Sequence, residues 1–287
     1  MTDAYTVTLK AGRYEFRFPG PCIIMGILNV TPDSFSDGGR FMDPEKAADQ
    51  ALRMVEEGAG IIDVGGESTR PRSVPVEERE ELRRVIPVIE RLAGKVAVPI
   101  SIDTMKTRVA LEAVRAGASI INDVGSCEHK PDMWRLASES GSAYVCMHMQ
   151  GTPQSMQINP VYQDVTAEVE KILQDRLKKL DDCGVGRNQI IVDPGFGFGK
   201  TPEHNLQLMA DLARFARLNR PVLVGVSRKT FLGALDNSPP DRRLAAGLAC
   251  ACLAVEAGAS IIRTHDVAQT LQAVRMTEAI MSRRKKE

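Results

Sequence analysis

The chain has 287 residues, 43% of them apolar, and its 37 Lys and Arg balance 37 Asp and Glu. Zero net charge argues against a nucleic-acid or membrane-surface protein, which would carry a basic excess, and the ordinary apolar content argues against disorder. The longest strongly apolar run, 244–255, is too short to span a bilayer. Residues 1–5 show no secretory-leader pattern, and the six cysteines form no C-x-x-C pair, so a cytoplasmic protein with reduced thiols is expected.

In chain order, Val7, Leu9, Tyr14, Phe16 and Phe18 about a Lys10–Arg13 turn read as a β-hairpin, placed to plug the bottom of a barrel. Strand-like apolar runs follow at 23–28, 61–64, 98–102, 119–121, 143–147, 190–192, 222–226 and 260–262. Helix-patterned segments alternate with them. The first opens at Asp43-Pro44, a cap followed by a proline at the first helical position. Others cover 76–92, 107–115, 131–140 and 164–183, one is capped by Thr201-Pro202, and the last two cover 242–256 and 267–282. A weak repeat marks the helix-to-strand turns: Gly58-Ala59-Gly60-Ile61-Ile62 returns as Gly117-Ala118-Ser119-Ile120-Ile121 and as Gly258-Ala259-Ser260-Ile261-Ile262. Eight strands alternating with eight helices predict a (β/α)8 TIM barrel with an N-terminal β-hairpin, a doubly wound open sheet being the fallback. No linker divides the chain, so one domain over 1–287 is expected, with the hairpin in 1–20 and a basic tail at 283–287.

In such a barrel, chemistry collects where strands end at the C-terminal face. The residues there are Asn29, Asp63 with Glu67, Asp103, Asn122 with Asp123, His148, Asp193, Ser227-Arg228-Lys229, and Arg263 with His265. One such residue is usually a helix cap, but a whole ring of amides, carboxylates and cations suits a heterocycle beside a phosphorylated group. Two loops, 29–39 and 65–73, are dense in small hydroxylated residues, Gly and Pro, and read as lids able to meet an anion. Asp193-Pro194-Gly195-Phe196-Gly197-Phe198-Gly199-Lys200-Thr201 misses the phosphate-loop pattern, because Pro194 stands where its first glycine belongs. It reads instead as a flexible floor under a flat ligand. The four histidines lack metal-ligand spacing, and Gly225-Val226-Ser227 is no nucleophile elbow. His204 is expected to be exposed, and His148 to be either core or ligand contact.

These motifs resemble those of the dihydropteroate synthases, pterin-binding enzymes of the folate pathway. The resemblance is carried by Met25-Gly26-Ile27-Leu28-Asn29-Val30-Thr31-Pro32-Asp33-Ser34-Phe35-Ser36-Asp37-Gly38-Gly39 and by Asp63-Val64-Gly65-Gly66-Glu67-Ser68-Thr69-Arg70-Pro71. Ser101-Ile102-Asp103-Thr104, Ile121-Asn122-Asp123, Met147-His148-Met149-Gln150-Gly151, 193–200, Ser227-Arg228-Lys229 and Arg263-Thr264-His265-Asp266 add to it. It implies condensation of 6-hydroxymethyl-7,8-dihydropterin diphosphate with 4-aminobenzoate, assisted by Mg2+, in a TIM barrel that is usually a homodimer and is inhibited by sulfonamides. Asp103, Asn122, Asp193 and Lys229 would hold the pterin. Asn29, Arg263 and His265 would meet the diphosphate with Thr69 nearby, Asn29 being the Mg2+-linked position. Phe35, Arg70, Arg228 and Thr230 would meet 4-aminobenzoate, with a structural role for Arg228 left open. Asp103, Lys229, Arg263 and His265 would carry the catalysis, by a dissociative route in which Asp103 stabilises a pterin methylene cation. Three positions depart from the family pattern: Arg72 stands where Gly is common, Val124-Gly125-Ser126 is less typical, and Thr230 replaces a common Ser. Two other readings compete: corrinoid-dependent methyl transfer from methyltetrahydrofolate in a similar pocket, and a non-catalytic pterin-binding protein.

Overall fold

The structure is a computed structural model that describes residues 6–31, 43–68, 73–125 and 131–284. Two strands, β1 (Val7–Ala11) and β2 (Tyr14–Phe18), form an antiparallel hairpin. Eight parallel strands follow: β3 (Ile23–Asn29), β4 (Ile61–Gly65), β5 (Ile100–Asp103), β6 (Ile120–Asp123), β7 (Ala143–Met147), β8 (Ile190–Asp193), β9 (Leu223–Val224) and β10 (Ile261–Thr264). They pair in the order β8-β7-β6-β5-β4-β3-β10-β9. Val222, just before β9, bridges Val192 of β8 and closes the barrel. Between the strands run the helices α1 (Pro44–Glu56), α2 (Glu78–Leu92), α3 (Thr107–Ala116), α4 (Pro131–Ser140), α5 (Val165–Asp182), α6 (Pro202–Ala210), the short α7 (Ala213–Ala216) and α8 (Leu244–Glu256), with α9 (Val267–Met281) last. The barrel and the hairpin expected from the sequence are both present.

Strand alternation explains why the strand sequences read as unbroken apolar runs. Successive side chains point to opposite faces, and both faces of this sheet are covered. Ile24, Ile62, Ile102, Ile121, Tyr144, Val192, Val224 and Ile262 point outward to the helices. Met25, Ile61, Ile120, Val145, Ile191, Leu223 and Ile261 point inward and meet Leu9, Ala11 and Phe18 of the hairpin. The hairpin therefore stoppers the N-terminal end of the barrel, held also by a bond from the Gly12 amide to the Gly141 carbonyl (3.0 Å).

Several boundaries differ from expectation for local reasons. The hairpin turn is Gly12-Arg13 alone, since Ala11 already pairs with Tyr14. Helix α2 starts at Glu78 and not 76, because the Val76 amide is taken by the Glu67 carboxylate (3.1 Å). The seventh barrel strand is cut to Leu223–Val224 by a turn in which the Lys229 amide bonds the Val226 carbonyl. Asp43 caps α1 as expected, accepting from the amides of Glu45 and Lys46. Among the described residues no helix is long and apolar enough to cross a membrane.

Leu9 is fully buried in the stopper. Leu9→Ala is expected to lower stability by about 2–4 kcal/mol through the cavity it leaves, while turnover below the unfolding transition stays near wild type; thermal melts alongside steady-state assays check both halves.

Candidate active site

The same alternation builds the site. Two positions beyond each inward apolar residue lies the next inward position, now at the C-terminal mouth: Asp63 beyond Ile61, Asn122 beyond Ile120, Asp193 beyond Ile191 and Arg263 beyond Ile261. Asp103 ends β5 on the same side. Arg263 sits at the centre of this ring. Its Nε donates to Asp63 Oδ2 (2.6 Å) and its Nη2 to Asp103 Oδ2 (2.6 Å). Asn122 Nδ2 donates to the same Asp63 oxygen (3.0 Å). The other oxygens of these carboxylates, Asp63 Oδ1 and Asp103 Oδ1, are buried and meet no hydrogen-bond donor. The barrel thus holds surplus acceptors at the bottom of a polar well.

The loop after β8 supplies the next wall. Asp193 Oδ1 accepts from the Gly195 amide (2.7 Å). Lys229 Nζ bonds the Phe196 carbonyl and lies 4.4 Å from the centre of the Phe198 ring. Two glycines make this possible. Gly195 adopts φ 70°, and a Cβ there would stand 1.8 Å from the His148 carbonyl oxygen; at Gly197, φ 78°, it would stand 2.9 Å from Lys229 Cδ. Buried Lys200 binds the loop from behind, donating to the carbonyls of Gly195 (2.8 Å) and Phe198 (2.9 Å) and lying 3.0 Å from His148 Nδ1. The segment expected to be a flexible floor is therefore a wound loop tied by a buried amine. On the rim, Ser227 Oγ meets His265 Nδ1 (2.9 Å), and Arg228 Nη2 pairs with Asp266 (2.8 Å).

Residues 25–265 match the family model described as "Pterin binding enzyme". The chain is 48% identical over 259 residues to the dihydropteroate synthase of Escherichia coli, covering 90% of this chain and 92% of that one. Two solved structures superpose with TM-scores of 0.89. One is Yersinia pestis dihydropteroate synthase in a sulfonamide drug complex, 43% identical and matched over 96% of this chain and all of that one. The other is Xanthomonas albilineans dihydropteroate synthase with 4-aminobenzoic acid, 42% identical and matched over 97% and 99%. The chain belongs to the dihydropteroate synthase family.

Of the positions that the family resemblance singles out, Asp103, Asn122, Asp193, Lys229 and Arg263 converge on the well, and Asn29 and His265 stand on its rim. Arg228 is turned outward onto Asp266, and Thr230 is exposed. Phe35, Thr69 and Arg70 lie outside the described residues. Two members of the expected ring belong elsewhere, because their strand parity points them outward. Asp123 accepts from the Tyr144 hydroxyl (2.8 Å) behind the sheet. His148 is buried against Lys200 and Tyr162. His204 is half-buried, with its ring accepting from the Thr201 amide (3.2 Å) to cap α6. Asp63, noted at the strand end but given no family role, is the acceptor shared by Arg263 and Asn122; its inward parity is the signal that would have found it. Ser227, quoted only as part of a motif, orients His265.

Burial dominates the electrostatics of the well. It pushes the Asp103 carboxyl up to about 7, with Asp63, Glu81 and Asp123 adding to the rise against the pull of Arg263. Asp193 rises for the same first reason. Burial lowers Lys229 to about 8 although Asp193 opposes it. Burial also works against the charge on Arg263, but Asp63 and Asp103 more than offset it and hold its pKa up. Since the folded-state value for Asp103 lies above the ordinary 3.8, the folded chain retains that proton and stability declines as pH rises from about 4 to about 7. Asp103→Asn is therefore expected to raise the melting midpoint by about 5 °C at pH 8, the gain vanishing toward pH 4; thermal unfolding across pH measures it, and a lower midpoint at pH 8 would contradict the electrostatic picture.

Proposed function

We propose that the chain condenses 6-hydroxymethyl-7,8-dihydropterin diphosphate with 4-aminobenzoate, giving 7,8-dihydropteroate and diphosphate, and that the well described above is where it does so. The observation that carries the site assignment is the pair of buried acceptors without donors, Asp63 Oδ1 and Asp103 Oδ1. A dihydropterin is a flat ring with amino and N–H donors on one edge and a carbonyl on the other. Seated in the well, its donors would reach Asp103, Asp193 and the Asn122 amide, and its carbonyl the Lys229 ammonium. The diphosphate would then project to the rim, toward Arg263, His265 and Asn29.

The residues divide the work as follows. Arg263 and His265, the latter oriented by Ser227, would meet the diphosphate charge and make it a better leaving group. As the C–O bond lengthens, positive charge grows on the pterin methylene, and the ionised Asp103 stabilises it in a buried, preorganised setting. The neutral aryl amine attacks that carbon, and its nitrogen then loses a proton, for which the released diphosphate is the nearest acceptor, to give the neutral secondary amine of the product. No covalent enzyme intermediate is required, which accords with the absence of an elbow nucleophile. The hairpin closes the barrel from below, so water, the competing nucleophile, has no route through the floor. Phe35, Arg70 and Thr230 would hold the amine side, with Thr69 near the diphosphate; Arg228, pinned to Asp266, would serve the amine side through its position on the rim.

Asn29 offers one half-buried amide oxygen beside the diphosphate site. That donor fits Mg2+, which takes few protein ligands and fills its shell from phosphate oxygens and water; when bound it would neutralise charge on the leaving group. A homodimer is supported by the exposed apolar face of α8 and α9, with Leu253, Met276 and Ile280 all more than half exposed. The cytoplasm is the compartment we assign, in keeping with cysteines that form no C-x-x-C pair. Methyl transfer from a methylated folate is not favoured, since the relatives are synthases.

Diphosphate release from the pterin diphosphate is expected to require 4-aminobenzoate and Mg2+ and to be matched by dihydropteroate; release without the amine, or none at all, would sink the assignment. The pH profile of kcat/KM should be bell-shaped, with an acid limb near 7 from Asp103 and an alkaline limb near 8 from Lys229. Asp103→Asn should lower kcat about 100-fold and erase the acid limb, whereas Lys229→Ala should weaken pterin binding and erase the alkaline one.

A further inference from the structure

Beside the well, outside any residue assigned to substrate, lies a partly buried charge cluster. Lys106, just before α3, donates to Glu67 Oε2 and to Glu81 Oε2, each at 2.5 Å. Glu81, on α2, is fully buried, and its other oxygen accepts from the Thr104 hydroxyl (2.6 Å). Thr104 follows Asp103 directly, and its amide bonds the Asn122 carbonyl (3.2 Å). Glu67 stands at the root of the loop after β4. Its Oε1 accepts from the Val76 amide (3.1 Å), and the flanking residues Ser68 and Ser73 are joined by a hydroxyl-to-carbonyl bond (2.5 Å). Arg84 of α2 clamps the same root through the Gly66 carbonyl (2.9 Å).

Half-buried Lys106 and fully buried Glu81 alone would form a neutral pair. A second carboxylate is not needed for charge balance, and burying one more charge is unfavourable. Glu67 therefore has a geometric use: through Lys106 it ties the loop root to α2 and to the strand end that carries Asp103. We propose that Lys106 is a positioning residue that sets the root of the β4 loop against the carboxyl ends of β4 and β5, and so holds the 4-aminobenzoate side of the site in register with the pterin side. This rests on the function proposed above, in which that loop serves the amine. Lys106 remains charged in this role, because Glu67 and Glu81 outweigh its burial.

The test uses purified full-length enzyme with three variants. Lys106→Met removes the cation but leaves Glu81 buried and unpaired. Lys106→Met with Glu81→Gln removes the cation together with the fully buried anion of α2, so that no unpaired charge is left at position 81 while Glu67, at the loop root, stays untied. Lys106→Arg keeps a cation. The expected result is a KM for 4-aminobenzoate raised about tenfold in the first two, with the dissociation constant for the pterin diphosphate within about twofold of wild type, and recovery of most of the loss in Lys106→Arg. A wild-type KM in the double variant would overturn the proposal, since Lys106 would then serve only to neutralise Glu81. A parallel loss of pterin affinity would overturn it too, placing the effect on the well itself. A wild-type chain that turns over while every variant matches its KM defeats this inference alone; a wild-type chain that makes no dihydropteroate defeats the functional reading with it.

Discussion

The guanidinium of Arg263, half-buried between Asp63 and Asp103, makes the interaction on which the rest of the site depends. Two carboxylates buried side by side in one barrel would repel each other and suffer the penalty of desolvation. A single planar cation reaching both, with separate nitrogens, makes their coexistence tolerable without neutralising them fully. One oxygen on each remains without a donor. That residual imbalance makes the well a receptor: it is stable enough to fold, yet under-satisfied toward a ligand rich in N–H groups. It also means that removing Arg263 strips away a structural counter-charge as well as the contact proposed for the leaving group.

The well is closed by what lies beneath and behind it. The hairpin fills the N-terminal end of the barrel with Leu9, Ala11 and Phe18, under the inward layer of strand residues. Behind the Gly-rich wall, Lys200 satisfies backbone carbonyls that the turn would otherwise leave buried without partners. Both devices sit outside the site, and both bear on its chemistry, since desolvation is the leading cause of the shifts at Asp103, Asp193 and Lys229. The same apolar packing that stabilises the fold brings an acid toward neutrality and lowers a lysine.

The proposed chemistry is one of charge handling rather than covalent attack. A leaving group must lose its negative charge to the protein, and a developing cation must find a fixed anion before water finds it. The strand ends supply carboxylates with Arg263 between them in the well, and His265 and Asn29 at its rim, where the leaving group is proposed to lie. The loops that would seat the second substrate come from different strands, so their registration has to be carried by contacts between strand ends. The Lys106 cluster, bridging β4, α2 and the β5 end, is built of such contacts.

How much of this was legible in the sequence can be judged from particular residues. The βα alternation, the hairpin, the Asp43 and Thr201 caps and the family motifs are local patterns, and each reads directly because propensity, capping and apolar spacing act within a few residues. The inward set Asp63, Asn122, Asp193 and Arg263 was also latent in the sequence, since each follows an inward apolar residue by two positions. Asp123 and His148 looked equivalent to that set, and the closed barrel turned them to its outer face. Lys106, Glu81 and Lys200 gave no sign, because their partners are carbonyls or carboxylates brought near only by the fold. The sequence by itself determined the elements, the family and the ring of candidate groups. Tertiary structure decided which of them face one another, and therefore which charges are paired, which are left short, and how far burial moves their protons, because those quantities depend on through-space distance and exclusion of water, neither of which is a property of sequence order.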